Sequence, residues 1–183
     1  MALTATIYNF EIDLADTDRG VYESLAIKVA RHPSESEEYL VARVLAYLLE
    51  YVDGIAFSRG VSDPDDPTIA IRDLTGAIRV WIDIGTPEAA RLHRASKATP
   101  RVVVYTHKEP TQWLRQLAGE TIHREDDLEL YAIDRELVAA LVARLDRRVA
   151  MSVSITDREL YVSIGNDNIT GTVKRLSIRA YST

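Results

Sequence analysis

No cysteine occurs in the 183 residues, so the chain has no disulfide framework, no thiol nucleophile and no cysteine-ligated zinc. Zinc-ribbon and cysteine-hydrolase chemistries are excluded. Long apolar runs are missing too. None approaches the ~18 residues needed to cross a bilayer, and the opening MALTATIYNFEID lacks a basic region followed by an apolar core. A cytoplasmic protein with no membrane partner is expected. Repeats, low-complexity stretches and linkers are absent as well, which points to a single domain over residues 1–183. Positive charge is in deficit: 28 acids oppose 22 Lys and Arg, for a net charge of −6. That field repels a polyanion, so only a local basic cluster can serve phosphate binding.

What the chain does have is a 46% hydrophobic content, enough for one ordinary core. Its patterning reads as α/β. Residues 5–14 place Tyr8, Phe10, Ile12 and Leu14 on one face, the mark of a half-buried strand. A second strand, with Val21, Leu25, Ile27 and Val29 alternating against polar neighbours, makes an N-terminal hairpin, although Val21, Leu25 and Val29 also suit a helix. His32-Pro33-Ser34 stops it, and Ser34 with Glu37 forms a capping box for a helix running to about Val52, with Gly54 as its stop. His32 has no second histidine nearby and reads as a strand-end hydrogen bonder.

A short strand at residues 55–58 leads to an acidic loop, then to strands at 68–71 and 78–84 joined by a hairpin turn at 73–76. Thr86-Pro87-Glu88 reads as a helix start, with a threonine cap, proline at the first helical position and an acid in the first turn. The helix carries Arg91, His93, Arg94 and Lys97 and feeds the β-branched run RVVVYT, a central strand reached by a right-handed parallel crossover. A helix at 110–118 with Trp113, Leu114 and Leu117 inward, a strand at 128–133, a helix capped by Asp134 and a three-stranded antiparallel meander complete the chain.

Within this pattern one residue is out of place. In RVWIDIG, Asp83 interrupts a run otherwise fit for a sheet core, and an ionised carboxylate does not stay there uncompensated. Either a cationic side chain such as Arg94 or Arg59, or a metal ion, must face it.

Four segments in order, ARHPSESEE (30–38), FSRGVSD (57–63), LTGAIRVWIDIGTP (74–87) and VVVYT (102–106), with the start MALTATIY, resemble the YaeQ family of bacterial proteins. The resemblance implies a compact variant of the PD-(D/E)XK nuclease fold: a mixed β-sheet with flanking helices, extended by the N-terminal hairpin and the C-terminal meander. Nucleases of that type hold Mg²⁺ on one Asp at a strand start, a second acid on the next strand and a Glu from an earlier helix, with a Lys two residues beyond the second acid.

Carried onto this chain, Asp83 falls at the second acid, and Glu38 or Glu35 at the helix acid. The first acid is missing, because Pro-Asp reads here as Pro67-Thr68, and Asp66 is the substitute. The Lys position is Gly85. Arg94 and Lys97, one and two turns along the following helix, are the candidates for phosphate charge, and arginine cannot act as a general base. Beside these roles stand plainer ones: Glu37 as a cap, Glu38 as a helix-edge acid, Asp63, Asp65 and Asp66 as turn formers, and the basic run through Arg101 as a solvated face.

Two functions follow. One is a magnesium-dependent nuclease or phosphodiesterase with a degenerate site. The other is a cofactor-free, non-catalytic descendant that binds nucleic acid or a protein partner. The lost first acid and the absent Lys favour the second.

Overall fold

Alternation of buried Tyr8, Phe10, Ile12 and Leu14 with polar residues makes the first strand, β1 (Thr6–Asp16). A turn through Gly20, at φ 69°, returns the chain as β2 (Val21–Arg31). Then follow α1 (Glu37–Leu49), β3 (Ile55–Phe57), β4 (Ile69–Arg72), β5 (Ile78–Ile84), α2 (Ala89–Ala98), β6 (Arg101–Thr106) and α3 (Thr111–Ala118). The last elements are β7 (Glu129–Ile133), α4 (Arg135–Val142), β8 (Arg148–Thr156), β9 (Glu159–Ile164) and β10 (Asp167–Leu176). This computed structural model describes residues 4–58 and 64–182. The class is mixed α/β. Two compact units divide the chain, Met1–Tyr51 with Ile133–Lys174, and Val52–Ala132 with Arg175–Thr183.

The first unit is a sheet in the order β2-β1-β8-β9-β10. The expected hairpin pairs β1 with β2 antiparallel, and β8, β9 and β10 form the expected antiparallel meander. The two are joined by a parallel pairing of β1 with β8, Ile12 lying opposite Met151. Helices α1 and α4 pack against each other, and their apolar stripes are buried through Leu40, Leu45, Leu48, Leu137 and Leu141. Each such leucine contributes about 1.5–3 kcal/mol of burial. Gly171 of β10 lies so close to α4 that a Cβ there would come within 2.6 Å of the Leu137 Cβ.

The second unit orders its strands β7-β6-β5-β4-β3. β3, β4 and β5 are antiparallel, whereas β5, β6 and β7 run parallel, so β6 is the buried central strand its β-branched sequence calls for. α2 is the crossover between β5 and β6. Its Leu92 and Ala95 pack with Trp81, Val104, Trp113 and Leu117 in one apolar cluster.

Three helix boundaries differ from expectation. Ser36, not Ser34, caps α1 by accepting a hydrogen bond from the Tyr39 amide at 3.0 Å. Ser34 is unavailable because its hydroxyl and amide are both engaged with His32 Nδ1, at 2.6 and 3.1 Å. α1 ends at Leu49, and Gly54 serves instead where the chain passes Arg72: a Cβ at Gly54 would meet the Arg72 carbonyl at 2.5 Å. α2 starts at Ala89 with Glu88 as its cap, so Thr86 and Pro87 stay outside the helix. The Pro87 carbonyl is taken by the Trp113 indole N–H at 2.8 Å, which holds that segment extended.

Candidate functional site

Asp83 lies on β5 between antiparallel β4 and parallel β6, opposite Val104, and is only 2% exposed. Its compensating cation is Arg91. The guanidinium docks as a fork, Nε donating to Oδ2 at 2.6 Å and Nη2 to Oδ1 at 3.0 Å. The Thr68 amide and hydroxyl add two longer bonds to Oδ1, each 3.3 Å. Arg91 Nη2 also donates to the Asp66 carbonyl at 2.7 Å, and the guanidinium carbon sits 5.2 Å from the centre of the Trp81 ring. One cation thereby ties β5, the segment before β4 and an aromatic face together.

The local sequence explains this placement. Gly85 follows β5 at φ 93°, a conformation costly for any residue with a Cβ, and its amide donates to the Tyr105 carbonyl at 2.9 Å. The chain then turns into α2, which puts Arg91 in the first helical turn. Helical side chains lean toward the N-terminus, so Arg91 reaches back to the end of β5. The same glycine accounts for the absent lysine, because a lysine at position 85 would sit on a left-handed backbone.

The predicted residues are distributed as follows. Asp66, Asp83, Arg94 and Lys97 belong to the second unit, and Glu35 and Glu38 to the first. Asp66 presents its carbonyl to Arg91 while the residue is exposed. Arg94, expected as the partner of Asp83, is exposed on α2, as is Lys97. Arg59, the other expected partner, and Asp63 lie outside the described residues. Glu35 pairs with Arg43 at 2.8 Å, and Arg43 also donates to the Ala30 carbonyl at 3.0 Å. Glu38 is exposed in the first turn of α1, where an acid suits the helix dipole.

This donor set does not fit a divalent ion as arranged. Both Asp83 oxygens are bound to a guanidinium, and Glu35 is bound to another. Among the described residues no three His, Asp or Glu side chains converge on a common point suited to a metal.

The sequence places Arg91 in a basic run without a role of its own and marks Thr68 only as the departure from Pro-Asp, not as a donor to Asp83. A second charged cluster was also missed. Arg101 holds Glu129 through two bonds, of 2.5 and 3.0 Å, while Tyr131 donates to Glu129 and stacks on Tyr105 with ring centres 5.1 Å apart. Burial pushes the Glu129 carboxyl up, but the Arg101 hydrogen bond and charge, with Tyr131 and Arg175, outweigh it and hold it below the ordinary value.

Fold and site together define a mixed α/β protein with a buried acid–guanidinium pair in its second unit. The chain belongs to the YaeQ family, whose model, described as YaeQ protein, matches residues 1–173. It is 29% identical over 171 residues to the "Uncharacterized protein YaeQ" of Escherichia coli (strain K12), covering 92% of this chain and 94% of the relative. The crystal structure of YaeQ protein from Pseudomonas syringae superposes with a TM-score of 0.87 at 30% identity, over 94% of this chain and 96% of that one. The YaeQ protein from Xanthomonas axonopodis pv. citri gives a TM-score of 0.85 at 32% identity, over 95% and 99%.

Proposed function

We propose that this protein is a non-catalytic variant of the PD-(D/E)XK nuclease fold that binds nucleic acid without cleaving it. Support for the fold reading is the element order α1, β3, β4, β5, α2, β6, with β5 and β6 parallel on either side of α2 in the chain. The observation that carries the functional reading is the Asp83–Arg91 fork. A carboxylate whose two oxygens are held by a guanidinium has a structural partner already, and a cation on that partner would have to displace it. Glycine at position 85 removes the lysine that would orient an attacking water.

Phosphate contact falls to α2, where Arg94 and Lys97 are exposed one turn apart. Two cations make a modest footprint. Releasing counterions from two phosphates gives a slope of about −1.8 for log affinity against log salt on duplex DNA. The test is fluorescence anisotropy with labelled single- and double-stranded DNA and RNA, across a salt series, with and without Mn²⁺. Binding with that shallow slope, an intact probe, and loss in Arg94→Ala/Lys97→Ala support the reading. Probe cleavage that depends on Asp83 contradicts it.

One feature favours a protein partner as the second reading. Leu74, at 108% relative exposure, tips the β4–β5 hairpin on a turn made rigid by Asp73, which accepts from the Thr75 and Ala77 amides at 2.9 and 3.1 Å. A partner captured by the wild type and lost in Leu74→Ser would support it.

A further inference from the structure

Asp83 Oδ1 and Oδ2 and the Asp66 carbonyl oxygen all lie within 3.0 Å of donor nitrogens of one guanidinium, and the Thr68 hydroxyl borders the same carboxylate. Two backbone stretches, β5 and the segment just before β4, supply these oxygens, and all are hard donors of the kind that suit Mg²⁺, Mn²⁺ or Ca²⁺. The pair is largely dry, with side-chain exposures of 22% for Arg91 and 2% for Asp83, and the Trp81 ring flanks the cation. Geometrically this is a cation site, and its occupant is a side chain.

We propose that Arg91 is the resident cation of an oxygen cage formed by Asp83, the Asp66 carbonyl and Thr68, standing where an inorganic cation would otherwise bind. The inference rests on the reading of Asp83 as a structural ion-pair residue and extends it: the cage is latent, and Arg91 is the positioning residue that keeps it closed to metals. Charge makes the two occupants exclusive. One carboxylate balances one guanidinium, and a divalent ion added beside it would leave two uncompensated positive charges in a desolvated pocket. Removing the guanidinium leaves the Asp83 carboxylate and the Asp66 carbonyl facing the space it filled, with the Thr68 hydroxyl bonded to the same carboxylate. Lysine at 91 would keep the charge but lose the fork, so Arg91→Lys should leave the cage filled.

Terbium luminescence tests the proposal directly, because Trp81 flanks the cage and sensitises a lanthanide bound there. Tb³⁺ and Ca²⁺ would be titrated into the wild type, Arg91→Ala, Arg91→Lys, Arg91→Ala/Asp83→Asn and Arg91→Ala/Trp81→Phe. The expected result is a saturable signal in Arg91→Ala, displaced by Ca²⁺, that falls with Trp81→Phe and is absent in the wild type, Arg91→Lys and the Asp83→Asn double variant. Thermal unfolding across a Ca²⁺ series is read in parallel. Should Arg91→Ala be too unstable for titration, Ca²⁺ should still raise its midpoint while leaving the wild type unmoved. A folded Arg91→Ala that shows neither saturable signal nor a Ca²⁺-dependent midpoint overturns the latent cage alone. Asp83-dependent binding by the wild type overturns the structural reading of Asp83 beneath it.

Discussion

Replacing Asp83 by Asn should destabilise the protein, and by an amount that separates a structural acid from a ligand held ready for metal. Arg91 gives Asp83 two charge-assisted hydrogen bonds, at 2.6 and 3.0 Å, each worth about 1.5–3 kcal/mol net. Those two bonds set a ceiling of roughly 3–6 kcal/mol. An asparagine keeps one acceptor for Thr68 and Arg91, and Arg91, at 22% side-chain exposure, turns part of its charge to water. The expected loss is therefore about 2–3 kcal/mol, below the ~3–5 kcal/mol of a fully buried broken pair. Urea denaturation reads it as a lowered midpoint at unchanged slope, and urea is preferable to guanidinium because the denaturant must not mimic Arg91. An acid kept unpaired for a metal behaves in the opposite sense, since neutralising it removes a desolvated charge and leaves stability level or improved. A change within about 0.5 kcal/mol, or a gain, would refute the reasoning.

Gly171→Ala should cost about 1–3 kcal/mol, read by thermal or urea unfolding, because its Cβ would lie 2.6 Å from the Leu137 Cβ. Gly85→Lys, which tests the lysine of the proposed nuclease-like arrangement, should cost about 1–2 kcal/mol through its φ of 93° and yield no Mn²⁺-dependent cleavage in a plasmid or oligonucleotide assay. Glu129 has a folded pKa below its ordinary value. Its contribution to stability is thus complete above about pH 4.3, the unfolded value, and is lost as pH falls through the lower folded value. Glu129→Gln should flatten the acid limb of the stability–pH curve and leave its neutral-pH shape unchanged.

Local pattern carried much of the architecture. The alternation around Tyr8 to Leu14, the Gly20 and Gly76 turns, the RVVVYT strand and the meander after Val149 are each decided by residues close together in sequence. The parallel pairing of β1 with β8 is not, because it joins Ile12 to Met151 and no short-range pattern records a register between strands so far apart. Caps were legible to within a residue or two. Ser34 and Ser36 are equally good acceptors, and what chose between them was His32 taking Ser34.

The same kind of slip concealed the site. Asp83 was visible as an acid in a strand that needed a cation. With the helix starting at Thr86-Pro87, however, Arg94 looked placed to reach it. Because Trp113 holds Pro87 outside the helix, α2 begins at Ala89, and Arg91 becomes the first-turn residue that leans back on β5. A contact to an indole further along the chain thus chose which arginine meets Asp83.

The most direct test of the Asp83–Arg91 pair as a structural unit is titration calorimetry of Mg²⁺ and Mn²⁺ into the wild type and Asp83→Asn. The pair predicts no saturable heat from either protein at millimolar metal, because in the wild type a guanidinium already fills the carboxylate and in the variant the carboxylate is gone. Saturable binding by the wild type that disappears in Asp83→Asn would contradict it and return Asp83 to the role of a metal ligand.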